Sequence, residues 1–156
     1  MKRRSLQGDS CPIARSLDTI GDWWSLLIVR EALMGKRRFS DFQKSLGLAK
    51  NILSTRLRKL VADGVMELVP ASDGSAYQEY LLTDKGRDLL VILAALRQWG
   101  ERHLFLPGEC NNFLVDIERG EKIAPLRLLA KDGRAVTSSD VTVATRNDTP
   151  RARRTR

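Results

Sequence analysis

The sequence has few of the residues that bind metals. It contains one histidine, His103, and two cysteines, Cys11 and Cys110, which lie far apart in the chain. Structural zinc sites need four such ligands, usually in closely spaced pairs. We therefore predict no metal site and no cofactor, and so low a cysteine content favours a reducing compartment.

Catalytic motifs and long apolar runs are also absent from the sequence. It has no nucleophile elbow, phosphate-binding loop or dinucleotide fingerprint, so we predict that the chain is not an enzyme. Its longest apolar-rich run, residues 89–96, is far shorter than the roughly 20 residues that cross a bilayer. The basic residues after Met1 lead into polar residues rather than the apolar run of a signal peptide. We expect a cytoplasmic protein without membrane contact.

Positive charge is concentrated at the two ends of the chain and in one internal segment. The formal net charge is +8, of which residues 1–10 carry +2 and residues 146–156 carry +4. Between Lys36 and Lys59, eight basic residues stand against one acid, Asp41, which gives a local balance of +7. A local excess of this kind attracts DNA phosphates and releases their counterions.

The same segment has the pattern of two short helices joined by a tight turn. Ser40 is a good N-cap for a helix over residues 41–46, and Gln43 completes a capping box. Gly47 suits the positive φ of a helix stop, and a second helix is predicted from Lys50 to residue 63. Such a pair is typical of a helix-turn-helix, whose second helix enters the major groove of DNA.

The second helix has two chemically different sides, as its period of about 100° per residue reveals. Arg58 can bond guanine through two atoms, and Asn51 can pair with adenine. An ordinary amphipathic helix with a solvated polar face would have the same pattern. The apolar side consists of Leu53, Leu57 and Leu60, and the other of Asn51, Thr55, Arg58 and Ala62, flanked by Ser54 and Lys59.

Two helices are predicted before this unit. Cys11–Pro12 opens the first, because proline suits an early helical position. Its apolar side consists of Ile13, Leu17 and Ile20. Asp22 can cap the second helix, over residues 23–34. Since that helix is apolar nearly all round, we expect Trp23 and Trp24 to pack in the core.

The residues after the helix-turn-helix have the pattern of a β-hairpin and a long helix. Strands are predicted over residues 65–69 and 77–82, with Asp73–Gly74 as the turn signal. A hairpin in this place forms the wing of a winged helix, but its tip has no basic residue that would grip phosphate. Thr83 can cap the helix over residues 84–105. Its apolar residues cover more than one face, which favours a second copy as partner, or else burial under the C-terminal segment.

Residues 107–145 are predicted to form a small β-rich extension. Short strands are expected over residues 112–117 and 124–129, with turns at Arg119–Gly120 and at residues 131–134. The predicted fold class is therefore mainly α with a small β wing, a winged helix-turn-helix over residues 11–106, plus a small C-terminal β appendage. The charged ends, residues 1–10 and the basic residues 146–156, are predicted to be disordered tails.

Residues in register over 11–106 resemble one known family. They are Cys11-Pro12, the run Ile20-Gly21-Asp22-Trp23-Trp24-Ser25-Leu26-Leu27-Ile28-Val29-Arg30, Gly35, Arg38-Phe39, Leu53, Arg56-Leu57, Leu60, Asp63-Gly64-Val65, Glu79-Tyr80, Leu82-Thr83, Gly86 and Trp99-Gly100. The sequence thus resembles the HxlR-type bacterial transcription regulators, relatives of the MarR group. It departs from their pattern at Ala49, where a capping residue such as serine is usual, and in a wing that is less basic.

The resemblance implies a homodimeric repressor or activator that reads an inverted repeat in double-stranded DNA. It implies a dimer through the first and last helices, at Ile13, Leu17, Leu93, Leu96 and Trp99. Several members of the family sense oxidants, aldehydes or quinones through an N-terminal cysteine, which corresponds to Cys11. A helix N-terminus with Arg15 nearby favours the thiolate; the alternative is a free cysteine that stays inert in a reducing cell. The effector itself is unknown.

The leading functional prediction is thus a sequence-specific DNA-binding transcriptional regulator. The alternative is a winged-helix protein-interaction module without operator-specific DNA binding, which would lack a steep salt dependence on duplex DNA. Base or near-base contacts are predicted for Asn51, Ser54, Thr55 and Arg58, and phosphate contacts for Lys36, Arg37, Arg38, Lys44, Lys50 and Lys59.

Overall fold

The computed structural model of the chain describes residues 5–144 and divides into two compact units. The first is Met1–Glu109 and the second Cys110–Arg156. The predicted tails over residues 1–4 and 146–156, and the last residue of the predicted extension, lie outside the described residues. Within residues 5–10, the hydroxyl of Ser5 and the N–H of Leu6 each donate to Asp18 at 3.0 Å.

The first unit is mostly helical with one antiparallel hairpin, which confirms the predicted fold class. Its elements are α1 Pro12–Ile20, α2 Trp23–Leu33, α3 Phe39–Leu46, α4 Lys50–Ala62, β1 Met66–Pro70, β2 Gln78–Leu82, α5 Asp84–Arg87 and α6 Leu89–His103. Among the residues that the structure describes, no helix is both long and apolar enough to cross a membrane.

The hydrophobic core lies where α2, α3, α4 and the base of the hairpin meet. The three leucines predicted to form the apolar side of α4 are all fully buried. Phe42 supplies the corresponding side chain of α3, and its ring meets Tyr80 of β2 edge-on, with centroids 6.4 Å apart. The buried core consists of Ile28, Val29, Phe42, Leu48, Leu53, Leu57, Leu60, Val65, Met66 and Leu82.

The hairpin forms a wing directly after α4. Its register pairs Met66 with Leu82 at the base and Pro70 with Gln78 towards the tip. Gly74 has a φ of 74°, which the turn predicted at Asp73–Gly74 requires. The base of the wing is tied to α5, because Thr83 caps that helix by accepting from the N–H of Gly86 and donates to the carbonyl of Gly64 at 2.7 Å.

Two predicted helix boundaries are wrong. Ser40 does not cap α3, because the helix begins one residue earlier, at Phe39, whose side chain packs on the core. The N-cap is Arg38, and its side chain makes no capping hydrogen bond. The predicted capping box with Gln43 is therefore absent from this helix. The single helix over residues 84–105 is two helices, separated at Asp88, because the first turn is bonded to the wing base.

The expectation that both tryptophans pack in the core is wrong for Trp23. Its side chain is 72 % exposed, whereas Trp24 is partly buried against the core. The two rings touch, with centroids 5.3 Å apart. A helix that is apolar nearly all round still has a side that faces away from its own core, and Trp23 lies on that side of α2.

The second unit contains much less strand than predicted. Its strands are β3 Leu128–Leu129 and β4 Ala135–Val136, which are antiparallel across the predicted turn at residues 131–134. The strand expected over residues 112–117 is reduced to one bridge, Val115 to Lys122. Ile117 and Leu128 are exposed. Apolar and polar residues alternate here in the sequence, but the apolar side chains have no core to pack against, so the strands stay short.

Candidate nucleic-acid interface

The two helices α3 and α4 form a helix-turn-helix with α4 on its outer side. Gly47 ends α3 at a φ of 63°, and Leu48 is buried in the turn. Ala49 is the N-cap of α4 and makes no side-chain hydrogen bond, so the start of the helix has no side-chain cap. The first N–H groups of α4 therefore remain available to an acceptor such as phosphate.

The outward face of α4 is open to solvent, as predicted. Asn51, Thr55 and Arg58 are exposed, and Ser54 is half-buried. The Thr55 hydroxyl donates to the carbonyl of Asn51 at 2.9 Å, so its oxygen remains an acceptor. The guanidinium of Arg58 lies along the helix, where Nε donates to the carbonyl of Ser54 at 3.3 Å. This face can therefore offer both donors and acceptors to base edges.

A hollow lies at the start of this face. Its volume is 450 Å³, and it is lined by Phe39, Lys50, Asn51 and Ser54. Three of the four lining side chains are polar, and the fourth, Phe39, is the first residue of α3. The sequence pattern did not reveal this hollow, because it depends on how the two helices cross.

The predicted phosphate-contacting cations divide into two groups. Lys44 and Lys50 are exposed and Lys36 is half-buried, and none of them forms an ion pair within residues 5–144. By contrast, Lys59 lies 2.7 Å from the Asp63 carboxylate at the end of α4. Arg37 lies 3.9 Å from Glu79 of the wing.

Arg38 is the most strongly engaged of these cations. Its Nη2 donates to the Asp73 carboxylate at the wing tip, and its Nε lies 3.6 Å from Glu79. Hydrogen bonding to Asp73 raises the pKa of Arg38. Hydrogen bonds from Ser75, and then the guanidinium of Arg38, hold the pKa of Asp73 well below its ordinary value. Both groups are therefore charged at neutral pH, and the positive charge of Arg38 is balanced within the chain.

Two further polar contacts hold the helices in place, and the sequence analysis missed both. Arg56 of α4 lies 3.4 Å from Asp22, the N-cap of α2. Glu31, only 5 % exposed, accepts hydrogen bonds from Ser45 of α3 and from Arg30. Burial by itself raises the pKa of Glu31, but the Ser45 and Arg30 bonds, together with the charges of Arg30 and Lys36, outweigh burial and lower it. No local pattern in the sequence signals such pairs.

The residues predicted for dimerisation are mostly exposed. Ile13 is 70 % exposed and Trp99 51 %, while Leu93 packs partly against the core. Leu17 and Leu96 are also exposed. Cys11 is the exposed N-cap of α1, and its N–H donates to Asp9 at 2.8 Å.

Within residues 5–144, no group of three or more potential ligand side chains is placed to hold a metal ion. The nearby Arg15 donates to the carbonyl of Asp9 rather than to the thiol of Cys11. A role for Cys11 as a sensor remains a prediction.

Comparison with known proteins decides the family. The sequence profile of the HxlR-like helix-turn-helix family matches residues 19–106. The chain belongs to this family. An HTH-type transcriptional regulator of Mycobacterium tuberculosis, itself uncharacterised, is 38% identical over 136 residues, which are 87% of this chain and 85% of the relative. The present chain is therefore a helix-turn-helix transcriptional regulator, as the resemblance of its sequence to the HxlR-type regulators had implied.

Solved structures support the same assignment. The crystal structure of PA1607, a candidate transcription factor, is 53% identical with a TM-score of 0.85, and the match covers 90% of this chain and 99% of that one. The redox regulator HypR in its oxidised form is 31% identical with a TM-score of 0.55, over 62% of this chain and all of that one. The likeness to PA1607 thus extends beyond the part of the chain that the family profile matches.

Proposed function

We propose that this HxlR-like regulator binds double-stranded DNA as a homodimer at an inverted-repeat operator, with α4 in the major groove. The observation that carries the proposal is the division of α4 into two sides. Leu53, Leu57 and Leu60 are fully buried, while Asn51, Thr55 and Arg58 on the opposite side are exposed. A helix anchored in this way can enter a groove without losing its own packing.

The charge around α4 supports an approach to the phosphate backbone. Lys44 of α3 and Lys50 of α4 lie on either side of the turn, and the uncapped start of α4 adds backbone N–H donors. Phosphate contacts of this kind fix the register of a protein on DNA, and base contacts then specify the sequence. A regulator of this kind acts on chromosomal DNA, and the proposed location is therefore the bacterial cytoplasm.

Exposed apolar side chains on the first and last helices support the homodimer. Ile13 and Leu17 of α1, with Leu96 and Trp99 of α6, present apolar surface that their own unit does not bury. To read adjacent operator half-sites, a two-fold pairing of these surfaces must place two copies of α4 about 34–36 Å apart, one turn of DNA.

The decisive experiment is the selection of duplexes from a random pool by the full-length protein. We expect an inverted repeat with half-sites about 10 bp apart or a multiple of that spacing. The selected duplex should bind more tightly than a scrambled one, with an affinity that falls steeply as salt is raised. Equal binding of both duplexes would end the proposal, and no binding to any duplex would favour a protein-interaction module.

The dimer is tested separately by sedimentation of the full-length protein. Leu17→Lys introduces charge into the proposed interface, so we expect monomers and a loss of operator binding. Ile117→Lys is the matched control, because Ile117 is fully exposed in the second unit. A dimer that survives Leu17→Lys unchanged would place the interface elsewhere.

The similarity to the redox regulator HypR supports a sensing role for Cys11. In the proposed step, the Cys11 thiolate adds to a ring carbon of a quinone C=C bond. The π electrons of that bond shift to the conjugated carbonyl oxygen, which takes up the proton that the thiol loses, and tautomerisation leaves a hydroquinone thioether. Intact-protein mass spectrometry should then record one adduct, absent from Cys11→Ser, together with release of the operator. Adduct formation without any change in operator affinity would refute the sensing role.

A further inference from the structure

The wing tip carries a carboxylate that forms an ion pair with a cation of the DNA-binding unit. Asp73 lies at the turn of the wing and Arg38 at the start of α3, 35 positions earlier in the chain. Their side chains are 52 % and 36 % exposed, so solvent and solutes reach both. We propose that Asp73 competes with DNA phosphate for Arg38 and thereby limits the sequence-independent affinity of the protein for DNA.

This inference rests on the proposed function, since it concerns how the same surface meets the phosphate backbone. The wing of a winged helix lies beside its recognition helix, so an acidic group at its tip faces the region where phosphates approach. The remaining residues of the wing turn, from Ala71 to Tyr77, contain no basic residue that would offset Asp73.

Asp73 is held in place by its own turn as well as by Arg38. The N–H of Ser75 donates to Asp73 Oδ1 at 3.1 Å, which leaves Oδ2 for the guanidinium. The Asp73 carboxylate is therefore already in place before DNA binds, and its Oδ2 takes the position at Arg38 that a phosphate oxygen would take. An Asn side chain in its place keeps an oxygen that can accept from Ser75, while the negative charge is lost.

Arg38 has a second, buried carboxylate neighbour, Glu79, whose role differs from that of Asp73. Glu79 is only 5 % exposed and is also approached by the hydroxyl of Ser72 at 3.3 Å and by Arg37 at 3.9 Å. With Glu79 in place, loss of the Asp73 charge does not leave Arg38 detached, because its Nε remains 3.6 Å from Glu79. The Nη atoms of Arg38 then become available to phosphate while the wing keeps its attachment to α3.

Exposed ion pairs contribute little net stability, so an exchange of carboxylate for phosphate requires little energy. A guanidinium that is freed to lie about 4 Å from a phosphate in water strengthens binding about fivefold. One more phosphate contact also steepens the logarithmic salt dependence by about 0.9 per protomer. These two quantities distinguish an electrostatic role of Asp73 from a merely structural one.

The test compares Asp73→Asn with the unmutated protein on a scrambled duplex, over a range of salt concentrations. We expect about fivefold tighter binding at low salt and a slope steeper by about 0.9 per protomer. The matched control is Asp132→Asn, which removes the same charge from an Asp–Gly turn with its own arginine partner, Arg134, in the second unit. That control should leave the slope unchanged.

A double-mutant cycle with Arg38→Gln tests whether Asp73 acts through Arg38. In the Arg38→Gln background, Asp73→Asn should produce a much smaller gain in affinity. An unchanged or weaker affinity of Asp73→Asn, or an equal gain in both backgrounds, would overturn the inference. Failure of the proposed function would be distinct, because the unmutated protein would then bind operator and scrambled duplexes equally, or neither.

Discussion

Truncation of Arg58 separates sequence reading from general attraction to DNA. Arg58 is exposed on the outward face of α4, donates only to a carbonyl of its own helix at 3.3 Å, and forms no ion pair within residues 5–144. Its removal should therefore leave the free energy of unfolding almost unchanged. The guanidinium would have to leave the Ser54 carbonyl to reach a base, which loses one weak, solvent-exposed hydrogen bond.

The expected loss on binding follows from the chemistry of an arginine with a guanine. A bidentate contact contributes about 1–3 kcal/mol of discrimination, so Arg58→Ala should weaken operator binding about 5- to 150-fold. The loss should be largest for the selected operator and much smaller for a scrambled duplex. A substitution of the contacted G·C pair should weaken binding by the unmutated protein but have little further effect on Arg58→Ala.

The assay is fluorescence anisotropy of labelled operator and scrambled duplexes at one fixed salt concentration. Arg56→Ala is the matched control on the same helix, because Arg56 lies 3.4 Å from Asp22 of α2. That variant should lower the free energy of unfolding and leave the ratio of operator to scrambled affinity unchanged. A proportional loss on both duplexes by Arg58→Ala would refute base reading and make Arg58 a phosphate contact.

Two further predictions concern stability. The pKa of Glu31 is lower in the folded state than in the unfolded state. The carboxylate therefore stabilises the fold above its unfolded-state pKa, and this effect is lost as pH falls through the folded-state pKa. Glu31→Gln should lower the free energy of unfolding by about 1–3 kcal/mol near pH 7 and by much less in acid, which urea unfolding at several pH values would measure. An added Cβ at Gly86 would lie 2.2 Å from the carbonyl oxygen of Val65, so Gly86→Ala should lower the free energy of unfolding by about 1–3 kcal/mol. A Cβ at Gly100 of α6 meets no atom within 4 Å, so Gly100→Ala should raise the free energy of unfolding by about 0.5–1 kcal/mol. Equal effects of the two alanines would contradict this reasoning.

Local periodicity predicted most of the first unit. The leucine stripe of α4 lies within three turns of one helix, so its spacing alone determines which side is buried. The caps at Asp22 and Thr83 were also predictable, because each acts on N–H groups at most three residues away. The cap predicted at Ser40 failed because packing of Phe39 on the core, a tertiary contact, moved the helix start.

Contacts between distant segments were not predictable from this single sequence. Arg38 and Asp73 are separated by the whole of α3, α4 and the first strand of the wing, and no local pattern links the two. Trp23 was assigned to the core because α2 is apolar nearly all round, and the sequence does not reveal which side meets the rest of the unit. The weak strands of the second unit were overestimated because alternation alone supplies no partner surface.

The distribution of ion pairs changes the meaning of the local charge excess. Four of the eight cations between Lys36 and Lys59 have carboxylate partners within the chain, namely Arg37, Arg38, Arg56 and Lys59. The pairs of Arg37 and Arg38 join the wing to the helix-turn-helix, that of Arg56 joins α2 to it, and that of Lys59 lies within the end of α4. The cations left for phosphate are Lys36, Lys44, Lys50 and Arg58. An acid outside this segment can therefore alter DNA affinity without touching DNA, because it determines how many of these cations are available to phosphate.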